Sequence, residues 1–322
     1  MIKVGIIGGA GYTAGELIRI LINHPYAKLV FVNSKSHAGK KLSDVHTDLL
    51  GETDLSFTDR LLLSEINVLF FCTAHGDTKK FLEVHKIPDF IKIIDLSADY
   101  RHKSAENQFI YGLPELNKEN LKNARCVANP GCFATAIQLA LLPLAKKQLL
   151  NSEIHVSAIT GSTGAGVKPT ETTHFSWRNN NISVYKPFEH QHLKEITESL
   201  VQLQDNFDKQ INFIPMRGDF PRGIFASLYL EYDGTKERAI SLYKEYYRNE
   251  PFVLVTENNV DMKQAVNTNK CILHLEKHGS KLLIVSCIDN LLKGASGQAV
   301  QNMNLMFGLD ETTGLKLKAL AF

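Results

Sequence analysis

Cys132 follows Asn129-Pro130-Gly131 and opens Phe133–Lys147, a long apolar stretch of helical character. A turn of that composition holds a side chain up, clear of the strand before it and the helix after it. A thiol at a helix N-terminus also meets the positive end of the helix dipole. That lowers its pKa and favours the thiolate, the form that attacks acyl carbon. The other four cysteines, at 72, 126, 271 and 287, lie in strand-like apolar runs and read as small core residues.

The segment Glu189-His190-Gln191-His192-Leu193-Lys194-Glu195 sets two histidines at the start of a helical stretch. Two residues apart they do not share a helix face, so one of them is expected to reach a reaction centre. A histidine beside the cysteine would activate the thiol and carry a proton. Spacing alone leaves His190 and His192 both open. No third ligand stands nearby and no C-x-x-C pair occurs, so no metal is expected. Thr160-Gly161-Ser162-Thr163-Gly164-Ala165-Gly166 is a glycine-rich loop whose N–H groups and hydroxyls suit a phosphate or a developing oxyanion. Arg101, in Asp95–Arg101, and Arg222, in Phe220-Pro221-Arg222-Gly223, suit an acidic substrate or, equally, a structural ion pair.

A cofactor site precedes all of these. Gly8, Gly9, Ala10, Gly11, Tyr12, Thr13 and Ala14 follow an apolar run, Ile2–Ile7, and lead into a helical one. Gly9, Gly11 and Ala14 fit G-x-G-x-x-A, in which a tight turn lets backbone and helix N-terminus approach a pyrophosphate. The second strand ends in Val32-Asn33-Ser34-Lys35-Ser36-His37. An NAD site usually carries an acid there for the ribose hydroxyl. The hydroxyls and cation of Ser34, Lys35 and Ser36 suit a 2′-phosphate instead, so NADP is the expected cofactor.

The elements that must hold these groups fall into two kinds. Strands at Ile2–Ile7, Leu29–Val32, Val68–Phe71 and Ile91–Asp95 alternate with helices at Thr13–Ile22 and from Asp77, a candidate cap, through Val84. That rhythm implies a doubly wound parallel sheet. After residue 131 the strands are of antiparallel type: His155–Thr160, Gly223–Tyr232, Cys271–Glu276 and Lys281–Ile288, the last two flanking a hairpin signal at Lys277-His278-Gly279-Ser280. A final helix is expected over Ser296–Phe307. The fold class is therefore α/β, a doubly wound parallel Rossmann-type domain plus an α+β catalytic domain with a mixed, largely antiparallel sheet. The length, 322 residues, suits two domains. A formal net charge of +2 gives no argument for nucleic acid or an anionic membrane. No run of about 18 apolar residues exists, so no transmembrane helix is expected. Met1–Gly8 reads as a strand, not a signal peptide, and five scattered cysteines argue for a reducing compartment, the cytoplasm.

Taken together, the pieces resemble the N-acetyl-gamma-glutamyl-phosphate reductases of arginine biosynthesis, within the glyceraldehyde-phosphate and aspartate-semialdehyde dehydrogenase group. The resemblance rests on Gly8–Leu17, Asp95–Arg101, Tyr111–Leu116, Ala128–Thr135, Gly161–Gly166, His190-Gln191-His192, Phe220–Gly223 and Asp289–Ala295, in family order over nearly the whole chain. It implies that Cys132 forms an acyl-enzyme, that His192 in preference to His190 is the acid/base, and that Arg101 and Arg222 bind substrate. By the same resemblance Asn129, Ser162 and Glu195 belong to the substrate site, while Gly164 and Asn290 lie by the cofactor. The reaction implied is NADPH-dependent reduction of an N-acyl-gamma-glutamyl phosphate to the semialdehyde with release of inorganic phosphate. The family's His-x-His-Thr-Pro-Glu-Ile reads His-Gln-His-Leu-Lys-Glu-Ile here. Acetyl and succinyl substrates differ by one carboxylate, which Lys168, Lys186 or Arg178 could read. The family's C-terminal helix packs back on the nucleotide domain, which gives expected domains of 1–131 plus 293–322, and 132–292 for catalysis and dimerisation in a homodimer or homotetramer. The rival readings are an aspartate-semialdehyde dehydrogenase-type reductase and a non-catalytic NADP-binding regulator.

Overall fold

β1 (Ile2–Ile7) is apolar at nearly every position because both of its faces are covered. In the computed structural model, which describes residues 1–320, it lies inside a six-stranded parallel sheet. The chain continues through α1 (Tyr12–Leu21), β2 (Ala27–Asn33), β3 (Val68–Phe71), α2 (Asp77–Val84), β4 (Lys92–Asp95), β5 (Ile110–Tyr111), α3 (Pro114–Lys122) and β6 (Cys126–Ala128). The strand order is β2-β1-β3-β4-β6-β5 and every pair is parallel. Phe31, Ile66, Leu69, Phe71, Ile91 and Ile93 form an apolar cluster against it. This is the doubly wound architecture that the alternation of elements requires.

Asp77 does not cap α2. Gly76 occupies the cap position, at φ 88°, and the capping carboxylate is that of Asp99. Asp99 accepts the N–H groups of Gly76 at 2.5 Å and Lys79 at 3.0 Å. Asp77 instead sits in the first turn, 3.5 Å from Lys80.

The second unit begins with α4 (Cys132–Lys146). It continues through β7 (Ile154–Thr160), α5 (Phe175–Arg178), β8 (Ser183–Val184), α6 (His192–Leu203), β9 (Ile211–Arg217), β10 (Ile224–Glu231), α7 (Lys236–Tyr246), β11 (Val253–Thr256), β12 (Cys271–His278) and β13 (Lys281–Ile288). These strands make a seven-stranded sheet in the order β11-β12-β13-β10-β7-β9-β8. The β7–β9 and β11–β12 pairs are parallel and the remaining pairs antiparallel. The β12–β13 hairpin turns at Gly279-Ser280, with Gly279 at φ 55°.

Helix α4 is buried from Phe133 to Ala145 and packs on α6, β10 and β13. Pro143 lies inside it. A proline lacks the N–H that would bond the carbonyl four residues back, here that of Leu139. The hydroxyl of Tyr247 donates to that carbonyl at 2.5 Å, which lets the proline stay in the helix.

After Gly294 the chain returns to the first unit. A single π-helical turn, Leu292–Ser296, leads into α8 (Gly297–Met306), which packs on α1, α3 and β4. The compact units are Met1–Pro130 with Ala295–Lys316, and Gly131–Gly294 with the tail from Leu317. The sequence reading kept that tail in the nucleotide domain. Asn267 instead ties it to the second unit, donating to the Lys318 carbonyl at 3.1 Å. Among the described residues no helix is long and apolar enough to cross a membrane.

Candidate active site

Cys132 is the first residue of α4 and is half-buried, whereas Cys72, Cys126, Cys271 and Cys287 are buried. Gly131 caps the helix in extended conformation, at φ −71° and ψ 150°. A Cβ on Gly131 would lie 2.3 Å from Nε2 of His192, so only glycine lets that imidazole rest against the turn. The Gly131 carbonyl accepts from the Thr135 N–H at 2.8 Å and the Thr135 hydroxyl at 3.1 Å. The backbone N–H groups of this first turn stand at the positive end of the helix dipole.

Both histidines are buried around Phe133. The rings of His190 and His192 stand 4.5 Å apart, and 5.5 Å and 6.3 Å from Phe133. His190 Nδ1 accepts the backbone N–H of His192 at 3.2 Å. Burial, with Lys186 and Arg217 acting in the same direction, pushes His190 down to about 4. His190 is thus a neutral ring with one nitrogen engaged by backbone. His192 Nε2 lies 3.8 Å from Oε1 of Glu195, whose Oε2 accepts the Gly131 N–H at 3.0 Å. Glu195 is buried and faces the turn and the histidine.

The glycine-rich loop does not present its N–H groups as a cradle. Gly161, Ser162 and Thr163 donate to the carbonyls of Gly223, Phe220 and Pro221, and Gly164 and Gly166 donate within the loop. The loop is zipped to the 220–223 turn, so donors that looked free in the sequence are consumed by packing. Asn290 reinforces this clamp: its Oδ1 accepts the Gly223 N–H at 2.8 Å and its Nδ2 donates to Thr163 Oγ1 at 3.0 Å.

The two expected substrate arginines carry structural loads. Arg222 pairs with the fully buried Asp289, through Nε at 3.1 Å and Nη2 at 2.9 Å. Arg101 is buried in the first unit and donates to the carbonyls of Asn129 and Leu96, each at 2.9 Å. Asn129 is buried there too: its N–H donates to Asp95 and its amide meets Ala295 and Asn302. The sequence reading left Arg101 and Arg222 open to ion-pair or structural duty, and that duty is what the geometry displays.

In the first unit the turn after β1 fits a dinucleotide. Gly8 has φ 82°, and a Cβ there would meet the Cys72 carbonyl oxygen at 2.7 Å. Gly11 caps α1 without a side-chain bond, and the first helical bond runs from Gly15 N–H to Gly11 O. The Tyr12, Thr13 and Ala14 N–H groups therefore lie at an open helix start, as phosphate binding requires. At the end of β2 the hydroxyls of Ser34 and Ser36 meet His37 Nδ1 at 3.2 Å and 2.9 Å, beside exposed Lys35. That polar cluster fits a 2′-phosphate.

Four contributors escaped the sequence reading. His46 bonds the Gly9 carbonyl at 2.7 Å, and nothing in its local sequence announces that. Asp289 needed its partner Arg222 to be meaningful. Tyr185 lies 6.5 Å from Phe133 and 5.8 Å from His190, ring to ring. Arg217 stacks on Tyr185, and its Met216-Arg217-Gly218 setting, a cation before glycine at a strand end, repeats the signal that drew attention to Arg222.

Residues 3–124 match the family described as semialdehyde dehydrogenase, NAD binding domain, and residues 132–290 match semialdehyde dehydrogenase, dimerisation domain. The chain is 67% identical to an N-acetyl-gamma-glutamyl-phosphate reductase of Bacteroides fragilis over the whole of both chains. It is 60% identical to one of Flavobacterium johnsoniae, again over both whole chains. Among solved structures, aspartate semialdehyde dehydrogenase II of Vibrio cholerae superposes with a TM-score of 0.74 at 15% identity, covering 96% of this chain and 98% of that one. An aspartate semialdehyde dehydrogenase from Candida albicans gives 0.72 at 14% identity, covering 95% and 98%. At such identities the structural likeness speaks for the fold.

Proposed function

The chain belongs to the N-acetyl-gamma-glutamyl-phosphate reductases, and we propose on that premise that it reduces N-acetyl-gamma-glutamyl phosphate to the semialdehyde, a step of arginine biosynthesis, through a thioester on Cys132. NADPH, held by the Gly8–Ala14 turn and the Ser34–Ser36 cluster, supplies the hydride when bound.

In the first half-reaction His192 takes the Cys132 thiol proton. The sulfur bonds to the acyl carbon, the bond from that carbon to the phosphate oxygen breaks, and the proton passes to the departing phosphate. The N-terminus of α4, with its positive dipole end, stabilises the oxyanion that forms beside the sulfur, the role the sequence reading gave to the 161–166 loop. In the second half-reaction the thioester carbon takes up the hydride, the carbon–sulfur bond breaks as the aldehyde forms, and His192, reprotonated from solvent, returns a proton to sulfur. Glu195 holds the histidine and the Gly131 turn in register, and so acts as a positioning residue. His190, neutral and bonded to the His192 backbone, supports its neighbour.

The observation that carries this reading is the arrangement of Cys132, Gly131, His192 and Glu195. Incubating the enzyme with N-acetyl-gamma-glutamyl phosphate and no NADPH should leave an acyl group on Cys132, visible by intact mass, and NADPH should then discharge it. An unmodified Cys132 in a chain that turns over would overturn the covalent route. The reading extends to a homodimer through the 132–290 unit, supported by its family description, and to a reducing cytoplasm, supported by five cysteines that form no disulfide with one another.

A further inference from the structure

Resting on the acyl-phosphate reading above, we propose that Arg217 is a specificity residue that grips a carboxylate of the substrate beside the reaction centre. Arg217 ends β9 and is registered against Thr160, where β7 runs into the 161–166 loop. Its guanidinium lies 4.6 Å from the centre of the Tyr185 ring. That ring neighbours Phe133 and His190, and its hydroxyl lies within electrostatic reach of Cys132. A chain of short contacts thus links Arg217 to the residue that follows the nucleophile.

The guanidinium is poised for a ligand. Its Nε is buried and carries no hydrogen bond, and among the described residues no carboxylate pairs with it. Tyr185 supplies the ring on which it stacks. A cation in such a place is costly unless an anion completes it. The planar Nε edge of arginine is the fork that takes a carboxylate through two parallel bonds. Arg178, a candidate in the sequence reading, is not free for this. It donates to the carbonyls of Thr172, Asn181 and Arg217 and to the Ser183 hydroxyl, and so fixes the backbone from which Arg217 projects. Lys186 adds positive potential on the His190 side.

Two carboxylates have the right chemistry: the α-carboxylate of every N-acylglutamyl phosphate, and the far carboxylate of a dicarboxylic N-acyl group such as succinyl. Steady-state reduction of the N-acetyl and N-succinyl substrates by the full enzyme and by R217L and R217K separates them. R217L should raise KM about tenfold or more while kcat stays within about threefold, with partial recovery in R217K. A KM rise for both substrates assigns the α-carboxylate; a rise for the N-succinyl substrate alone assigns the far one. Unchanged KM for both overturns the proposal. Should R217L fail to fold, R217Q carries the same comparison. Acylation of Cys132 without NADPH keeps the two readings apart. Its absence in the unmodified enzyme would sink the thioester route, whereas equal concentration dependence in enzyme and variant would sink only the role of Arg217.

Discussion

Glu195 accepts the Gly131 N–H at 3.0 Å, so the residue before the nucleophile is anchored by a side chain 64 positions away. The other oxygen of that carboxylate faces His192. E195Q keeps an acceptor for Gly131 but loses the charge opposite the imidazole. It should lower kcat about ten- to a hundredfold with little change in KM. E195A should in addition lose about 1–3 kcal/mol of stability, because a buried N–H is left unmade. Thermal unfolding alongside steady-state kinetics separates the two effects, and a fully active E195Q would remove Glu195 from the machinery.

Replacing Cys132 by Ser should lower turnover at least about 10³-fold, since a hydroxyl at this position is a far poorer nucleophile than a thiolate. NADPH binding, followed by fluorescence, should be unaffected because the dinucleotide turn lies in the other unit. Near-normal turnover would sink the assignment.

The five thiols should differ in reactivity. Burial pushes Cys72 up to about 12 and also raises Cys126 and Cys287, while Cys271 is buried on β12. Iodoacetamide under native conditions should therefore label Cys132 first, and substrate acyl phosphate should protect it. Peptide mapping that found Cys126 labelled as fast would contradict the exposure pattern.

His190 gives the protein a pH dependence of defined sign. The unfolded chain binds a proton near pH 6.5 that the folded ring refuses until about pH 4. Stability should therefore rise with pH across that window and fall on acidification, by about 3 kcal/mol at most from this residue. H190N keeps an acceptor for the His192 N–H without the titration. Its denaturation midpoint should lose less between pH 6.5 and pH 4 than that of the unmodified protein. Equal losses in both would place the titration elsewhere.

The parts legible in the sequence were those whose chemistry is local. The Gly8–Ala14 turn, the apolar parallel strands and Cys132 at the head of an apolar helix each follow from residues adjacent in the chain. What stayed hidden depends on a distant partner. Asp99 caps α2, Tyr247 rescues the carbonyl freed by Pro143, and Asp289 claims Arg222. Strand β9 was missed because Pro215 interrupts a run that otherwise alternates, and with it went Arg217. The 161–166 loop misled for the same reason: glycine content reveals that backbone donors are accessible in principle, not whether a neighbouring turn has already taken them.

The return of α8 to the first unit sets an order of assembly during synthesis. When residue 130 leaves the ribosome, the parallel sheet is complete, yet the helix that packs on α1, α3 and β4 is still more than 160 residues away. The middle unit, contiguous from Gly131 to Gly294, can close around α4 first. The nascent N-terminal unit must wait with an apolar face uncovered. Truncation before Ala295 should thus yield a chain whose older half binds chaperones, while its younger half resists protease.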